Sequence, residues 1–159
     1  MEKIINTNQV SKITTKLKKE KKKVVLAGGC FDLLHIGHIL FLDAAKKEGD
    51  VLIVLLESDE NTKIKKGKDR PINSQKNRSI VLSALKSVDY IIPLSGVTKN
   101  EEYDKLIVQI KPDIVAMTKG DKDFRRRKSQ CEMIGCQLKF VIGNIDNQST
   151  TNIISDIKN

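Results

Sequence analysis

The chain has 159 residues, of which 39% are hydrophobic, 31% are charged and 4% are aromatic, and its formal net charge is +9. This length suits one domain with a substantial core, and the shortage of aromatic residues predicts a core of Ile, Val and Leu, as in a buried parallel sheet. The longest apolar runs, such as 51–56, are much shorter than the ~20 residues that cross a membrane. The lysine-rich N-terminal segment contains no apolar stretch typical of a signal peptide, so we expect a cytoplasmic protein with no membrane partner.

The positive charge raises the hypothesis of a nucleic-acid binder. Such proteins combine a clustered basic face with arginine or aromatic residues that read or stack on bases, and this chain has no Trp, 2 Tyr and 4 Phe. We therefore expect nucleic acid not to be the partner, and a basic nucleic-acid-binding protein is the non-enzymatic alternative. The odd number of cysteines, Cys30, Cys131 and Cys136, matches no zinc spacing and predicts reduced thiols.

The N-terminal segment is predicted to form a polar tail over 1–9 and a basic helix over 10–23, both within a single domain that spans 1–159. Val10 and Leu17 lie on one face of this helix, and lysines occupy the opposite face. No internal repeat or low-complexity linker divides the chain.

Apolar runs alternate with amphipathic stretches along the rest of the chain, which predicts a parallel sheet with helical crossovers. The predicted strands cover 24–27, 50–56, 88–93, 114–117 and 138–142, and the predicted helices between them cover 36–48, 75–86, 101–110 and 124–134. Gly49 is expected to end the first of these helices in a left-handed conformation, and Ser74 is expected to cap the second.

Both histidines of the chain lie in the tetrapeptide His35-Ile36-Gly37-His38, between the first predicted strand and its helix. Gly28 and Gly29 precede it; glycine lets the backbone approach a ligand, and the free N–H groups at a helix start bind anions. Histidines at i and i+3 project from the same side of a helix, so a phosphate bound at this turn would contact both imidazoles. The alternatives are histidines that only cap the helix and a zinc site completed by Cys30.

Other polar segments follow strands or begin a helix. The segment 58–73 is too polar and too interrupted by glycine and proline for the core, so it is predicted to be a loop at a strand's carboxyl end, where open α/β sheets bind ligands. Gly120 and Asp121 follow the fourth strand in the same way. The hydroxyl residues 149–151 precede an apolar helical segment, where they can cap the helix and hold phosphate oxygens. The arginine run 125–127 is interpreted as a solvated helix face that could reach an anionic substrate.

The motif Gly29-Cys30-Phe31-Asp32 followed by His35-Ile36-Gly37-His38 resembles the signature of the HxGH nucleotidyltransferases, the cytidylyltransferase-like superfamily. The resemblance extends from about Lys16 to the C-terminus: 66–73 resembles the family's Lys-Gly-x-x-Arg-Pro loop, and 149–151 resembles its Ser-Thr-Thr run. It implies an α/β protein with the HIGH-type nucleotidyltransferase fold, a Rossmann-like three-layer sandwich with a five-stranded parallel sheet.

The resemblance also implies roles for particular residues. The residues expected to be catalytic are His35, His38 and Lys68. Those expected to bind the nucleotide are Gly29, Cys30, Phe31, Gly37, Gly120, Asp121, Ser149, Thr150 and Thr151. Those expected to contact the phosphate of the second substrate are Lys66, Arg70 and Arg78, with structural pairing to the active-site loop equally open for Arg78. No residue is assigned to a metal; Mg²⁺ is expected to accompany the nucleotide, and the family commonly forms homodimers.

The implied reaction transfers a nucleotidyl group from a nucleoside triphosphate to a phosphorylated small molecule and releases pyrophosphate. The segments 66–73, 85–90 and 149–154 look most like the adenylyltransferase domain of the bifunctional ADP-heptose synthases, and the arginine that cytidylyltransferases carry before the Ser-Thr run is absent from 143–148. We therefore expect an adenylyltransferase that uses ATP and a heptose or other sugar 1-phosphate. The sugar stays open because 118–122 reads Thr-Lys-Gly-Asp-Lys where those enzymes have Lys-Gly-Gly-Asp-Tyr.

A cytidylyltransferase of the glycerol-3-phosphate type and an FAD synthase are the enzymatic alternatives. Class I aminoacyl-tRNA synthetases share His-Ile-Gly-His, but this chain is too short for one and lacks their Lys-Met-Ser-Lys-Ser loop.

Overall fold

A parallel sheet of five strands organises residues 2–94, 99–143 and 149–158, which are the residues that the computed structural model describes. In chain order the elements are α1 Thr7–Lys19, β1 Val24–Gly29, α2 Ile36–Lys46, β2 Val51–Glu57, α3 Asp59–Lys66, α4 Gln75–Ser83, β3 Tyr90–Leu94, α5 Asn100–Ile110, β4 Ile114–Thr118, α6 Phe124–Ile134, β5 Gln137–Ile142 and α7 Thr150–Lys158. The strand order is β3-β2-β1-β4-β5, so β1 lies at the centre. The predicted α/β, Rossmann-like fold is confirmed.

Helices cover both faces of the sheet and give it three layers. On one face, here called the α5/α6 face, α1, α5 and α6 pack on a core that includes Leu26. On the other, the α2/α4 face, α2 and α4 pack on a core that includes Ala27. Successive β1 residues therefore point to opposite faces, as the pleat requires. Within the described residues no helix is long and apolar enough to cross a membrane.

The N-terminal segment departs from the predicted polar tail over 1–9 and helix over 10–23. Ile5 is buried, and its N–H donates to the carbonyl of Ile91 on the edge strand β3 at 2.9 Å. Asn6 then caps α1 with a capping box, so the helix starts earlier than predicted and ends at Lys19. The correction comes from a contact between distant parts of the chain, which helical spacing cannot reveal.

The segment after β2 contains the short helix α3, where the prediction over 58–73 is a loop. Ser58 caps this helix, since its Oγ accepts from the N–H of Asn61 at 3.1 Å. Asp59 and Glu60 lie in the first turn and three lysines lie in the last, which complements the helix dipole. Capping and charge, rather than apolar periodicity, stabilise α3, and the loop begins only at Gly67.

Gly49 has a different role from the predicted left-handed cap, because the glycines with positive φ among the described residues are at other positions. A Cβ atom at Gly49 would lie 2.7 Å from the carbonyl oxygen of Lys23 and 2.8 Å from Cγ2 of Val25. Glycine is required here because the chain passes close to the start of β1.

Candidate active site

A cavity of about 820 Å³ opens at the carboxyl ends of β1, β2 and β4, the edge at which open α/β sheets bind ligands. It brings together most of the residues singled out in the sequence. Those that line it are Gly29, Cys30, Phe31, His35, Gly37, His38, Lys66, Arg70, Gly120, Asp121, Ser149, Thr150 and Thr151. Lys68 is exposed and Arg78 is buried, and neither lines the cavity.

The turn between β1 and α2 places the two histidines side by side. His35 is the N-cap of α2, and its Nδ1 accepts from the N–H of Gly37 at 3.1 Å. A neutral imidazole that accepts at Nδ1 carries its proton on Nε2, which leaves Nε2–H as a donor for a ligand. The centroids of the His35 and His38 rings are 3.8 Å apart, so His35 both caps the helix and forms part of the pair.

Phe31 packs beside His38. Its φ of 45° is in the left-handed region that residues with a side chain rarely adopt. Its ring lies 5.2 Å from the His38 ring, centroid to centroid, and would meet a Cβ atom at Gly29 at 2.8 Å. Gly29 is thus required for close packing of the aromatic ring against the end of β1.

His38 is the more buried of the two histidines. Its Nδ1 is shielded from solvent and has no hydrogen-bond partner among the residues that the structure describes. Burial, the neighbouring His35 and Lys66 together lower the pKa of His38 to about 4, and burial lowers the pKa of His35 from its ordinary 6.5. Both rings are therefore neutral near pH 7 before substrate binds.

This pKa shift predicts a pH-dependent stability. The unfolded chain takes up a proton at His38 near pH 6.5, whereas the folded protein does so only near pH 4, so the free energy of unfolding falls as the pH is lowered through that window. Denaturant unfolding of the wild type and of His38→Gln at several pH values between these limits measures the slope. We expect a shallower slope in the variant; equal slopes would contradict the assignment.

Asp32 anchors the loop that follows α3. Its carboxylate accepts from Nε of Arg70 at 2.5 Å, from the N–H of Ile72 at 2.9 Å and from the N–H of Asn73 at 2.9 Å. Burial would raise the pKa of Asp32, but these hydrogen bonds outweigh it and lower the pKa below its ordinary 3.8. Arg70 thus faces the cavity while it is paired with a buried carboxylate.

Arg78 has a structural role, and the predicted contact with a substrate phosphate does not hold. The residue is 1% exposed. Its guanidinium donates to the carbonyl oxygens of Cys30, Asn73 and Glu57, and to Asp59 at 2.7 Å. It lies on the inward face of α4, so it ties together the carboxyl ends of β1 and β2 beneath the cavity.

On the other side of the histidines, α7 and the loop after β4 complete the cavity. The hydroxyl of Thr150 donates to the carbonyl of Leu33 at 3.2 Å, and Ser149 Oγ accepts from the N–H of Asn152 at 3.1 Å. Asp121 Oδ1 accepts from the N–H of Asp123 at 2.8 Å. The preference for ATP is predicted partly from residues 143–148, and of these 144–148 lie outside the described residues.

A family model described as cytidylyltransferase-like matches residues 26–156 of this chain. The chain belongs to the cytidylyltransferase-like family. This confirms the recognition made from the Gly29–Asp32 and His35–His38 motifs, and it identifies the protein as a nucleotidyltransferase.

Relatives of the family include the bifunctional protein HldE of Aliarcobacter butzleri, which is 39% identical over 150 residues, and that of Campylobacter concisus, which is 43% identical over 143 residues. The matches cover 94% and 88% of this chain but only 30% and 28% of those relatives. A lipopolysaccharide core biosynthesis protein from Thermoplasma volcanium superposes with a TM-score of 0.63 at 31% identity, over 80% of this chain and 99% of the other. The pantoate-beta-alanine ligase of Francisella tularensis shares the fold. It superposes with a TM-score of 0.66 at 18% identity, and the match covers 99% of this chain and 77% of that protein.

Several residues of this family member line the cavity without having been predicted from sequence. The charged members of this group are Asp32, Glu57, Lys65, Lys122, Asp123 and Arg127. Glu57 ends an apolar strand, Lys65 lies on the unpredicted α3, and Arg127 belongs to the run interpreted as a solvated face. Only the suggestion that this run could reach an anionic substrate pointed toward Arg127.

Proposed function

We propose that this domain transfers the adenylyl group of ATP to a phosphorylated small molecule, with a heptose 1-phosphate or another sugar 1-phosphate as the favoured acceptor. The observation that carries the proposal is the His35/His38 pair in a cavity that is also lined by Lys66, Arg70 and the hydroxyl residues Ser149, Thr150 and Thr151. Such a site suits two phosphate-bearing substrates that must meet at one phosphorus atom.

In the reaction, an oxygen of the acceptor phosphate attacks the α-phosphorus of ATP. The new bond joins that oxygen to the α-phosphorus, the bond to the β-phosphate oxygen breaks, and pyrophosphate leaves with the electron pair. Because the acceptor phosphate is already ionised at neutral pH, no general base is needed. Catalysis then consists of positioning and charge stabilisation.

The chain's own residues supply these two effects. His35 donates from Nε2 to the α-phosphate as its charge grows, and His38, in the same stack, supplies a second ring N–H donor. Lys66 and Arg70 line the acceptor side and reduce the repulsion between the two anions. The start of α7, with its free N–H groups and hydroxyls, suits the β- and γ-phosphates.

Mg²⁺ belongs to this proposal as the complex it forms with ATP. An Mg²⁺ ion that arrives with a nucleotide is bound mainly by phosphates and water and needs only one or two protein carboxylates. Asp121 lines the cavity and could contribute a carboxylate beside the phosphates. The ion would neutralise phosphate charge.

The choice of ATP rests on the resemblance to bifunctional HldE relatives and on the absence of the cytidylyltransferase arginine from 143–148. The family description, cytidylyltransferase-like, makes CTP with glycerol 3-phosphate the second candidate, and an FAD synthase acting on FMN the third.

Pyrophosphate release by the purified protein tests the proposal. ATP and CTP are compared with Mg²⁺ against heptose 1-phosphate, other sugar 1-phosphates, glycerol 3-phosphate and FMN, with excess chelator as the metal-free control. We expect turnover with ATP and a sugar 1-phosphate, abolished by the chelator. Turnover with CTP but not with ATP would indicate a cytidylyltransferase. Turnover with FMN but not with the sugar 1-phosphates would indicate an FAD synthase.

A further inference from the structure

The cavity has a compartment on the α5/α6 face of the sheet, across β1 from the histidines. Leu26 points to this face, and the alternation of the strand places Gly28 with it. An ideal Cβ at Gly28 would lie 3.7 Å from a terminal guanidinium nitrogen of Arg127 and 3.9 Å from Cβ of Leu55. The floor of this compartment is apolar, formed by Leu26, Leu55, Val115 and Met117. The charged residues that line the cavity here include Glu57, Lys65, Asp123 and Arg127.

Glu57 is a buried anion whose two oxygens are already engaged by the protein. Its side chain is 4% exposed, Lys65 Nζ lies 2.6 Å from Oε1, and both Tyr103 Oη and Asn61 Nδ2 donate to Oε2. Burial would raise the pKa of Glu57, but the hydrogen bonds from Lys65 and Tyr103 outweigh it and lower the pKa. Glu57 therefore positions Lys65 at the cavity wall, and the ammonium group has further N–H donors to offer.

Arg127 is held in place by contacts that include no ion pair with a described carboxylate. Its Nη1 donates to Gln130 Oε1 at 3.0 Å, and its guanidinium carbon lies 5.7 Å from the centre of the Tyr103 ring. The neighbouring Arg126 pairs with Asp104, whereas no carboxylate of the described residues forms an ion pair with Arg127. A half-buried guanidinium in this setting favours an anion that can accept two hydrogen bonds.

Asp123, the other acidic residue of the compartment, pairs only weakly with Lys65. Asp123 lies 3.9 Å from Lys65, with its side chain 53% exposed, so solvent screens that pair. The compartment thus offers the N–H donors of Lys65 and Arg127 beside an apolar floor, and the carboxylate of Asp123 is largely exposed to solvent.

We propose that Arg127 and Lys65 bind a second anionic group of the acceptor, a carboxylate or phosphate at the end remote from the reacting phosphate. This inference rests on the proposed function and, of the acceptors named there, favours another sugar 1-phosphate, one with a second anionic group, over a heptose 1-phosphate with a neutral sugar end. A neutral sugar end would leave the Arg127 charge without a counter-ion after water is displaced.

Three acceptors that differ only at the remote end test the proposal: glucose 1-phosphate, glucuronic acid 1-phosphate and glucose 1,6-bisphosphate. Their affinities are measured calorimetrically in the presence of a non-hydrolysable ATP analogue and Mg²⁺, together with KM and kcat wherever turnover occurs. The variant is Arg127→Gln, and the matched control is Arg125→Gln, an exposed arginine on the same helix that does not line the cavity.

We expect at least one of the two acceptors with a second anionic group to bind roughly tenfold or more tightly than glucose 1-phosphate, as for a charge-assisted hydrogen bond. Arg127→Gln should remove this preference and leave the KM of ATP unchanged, and Arg125→Gln should keep it. Equal affinities for all three acceptors, a preference that survives Arg127→Gln, or a rise in the KM of ATP would each overturn the inference. If no nucleotide and acceptor pair turns over, the proposed function fails, while the calorimetric preference still decides whether the compartment binds an anion.

Discussion

Replacing His38 by alanine is expected to lower kcat by about 10²–10³-fold, the cost of removing one positioned donor to a developing phosphate charge. The reason lies in its surroundings: the ring stacks on His35 with centroids 3.8 Å apart and lines the cavity. In the folded protein its Nδ1 is buried without a partner among the described residues, so the protein does not use this nitrogen for its own stability. Steady-state kinetics with the active substrate pair measures the effect.

A comparison with His35→Ala separates catalysis from folding. His35 caps α2, so its replacement should lower both kcat and the free energy of unfolding, the latter by ~1 kcal/mol as for other lost N-caps. His38 caps no helix, so His38→Ala should act mainly on kcat. Near-normal kcat in His38→Ala, with folding intact, would remove His38 from the proposed chemistry.

The strands, most helices and the phosphate-binding turn could be predicted from sequence because their signals are local. Buried strands such as β2 appear as continuous apolar runs, and Ser74 caps α4 as predicted. The short helix α3 could not be found from periodicity, since only two of its residues, Asn61 and Thr62, are buried and neither is apolar. Its stability depends on capping and on charge.

The residues of the candidate site also differ in whether the local sequence reveals their role. The two histidines could be placed in it because they share one turn, whereas the buried role of Arg78 depends on carbonyl groups 48 and 21 residues away in the chain, those of Cys30 and Glu57. Glu57 and Tyr103 meet across 46 residues. A charged residue on an amphipathic helix has the same appearance in sequence whether it faces solvent or such a cluster, so these roles required the tertiary structure.

Asp32→Asn is expected to lower the free energy of unfolding by about 3–5 kcal/mol, the usual cost of breaking a buried ion pair, and to reduce kcat as well. The Asp32 side chain is fully buried and that of Arg70 is 8% exposed, so an amide leaves a buried guanidinium without its counter-ion. The backbone N–H groups of Ile72 and Asn73 also lose charged acceptors, which loosens the loop that starts beside Lys66. Denaturant unfolding and kinetics on the same preparation measure both effects.

Two further variants show whether Asp32 acts by positioning the loop. Asp69→Asn makes the same chemical change at an exposed site in that loop and should leave stability within ±0.5 kcal/mol. The double variant Asp32→Asn/Arg70→Met removes the unpaired charge, so it should recover part of the stability through coupling between the two sites. Its kcat should stay low, because the loop still lacks its anchor and the cavity lacks Arg70. Full recovery of kcat in the double variant would mean that the buried charge, and not the lost anchor, impairs the single variant.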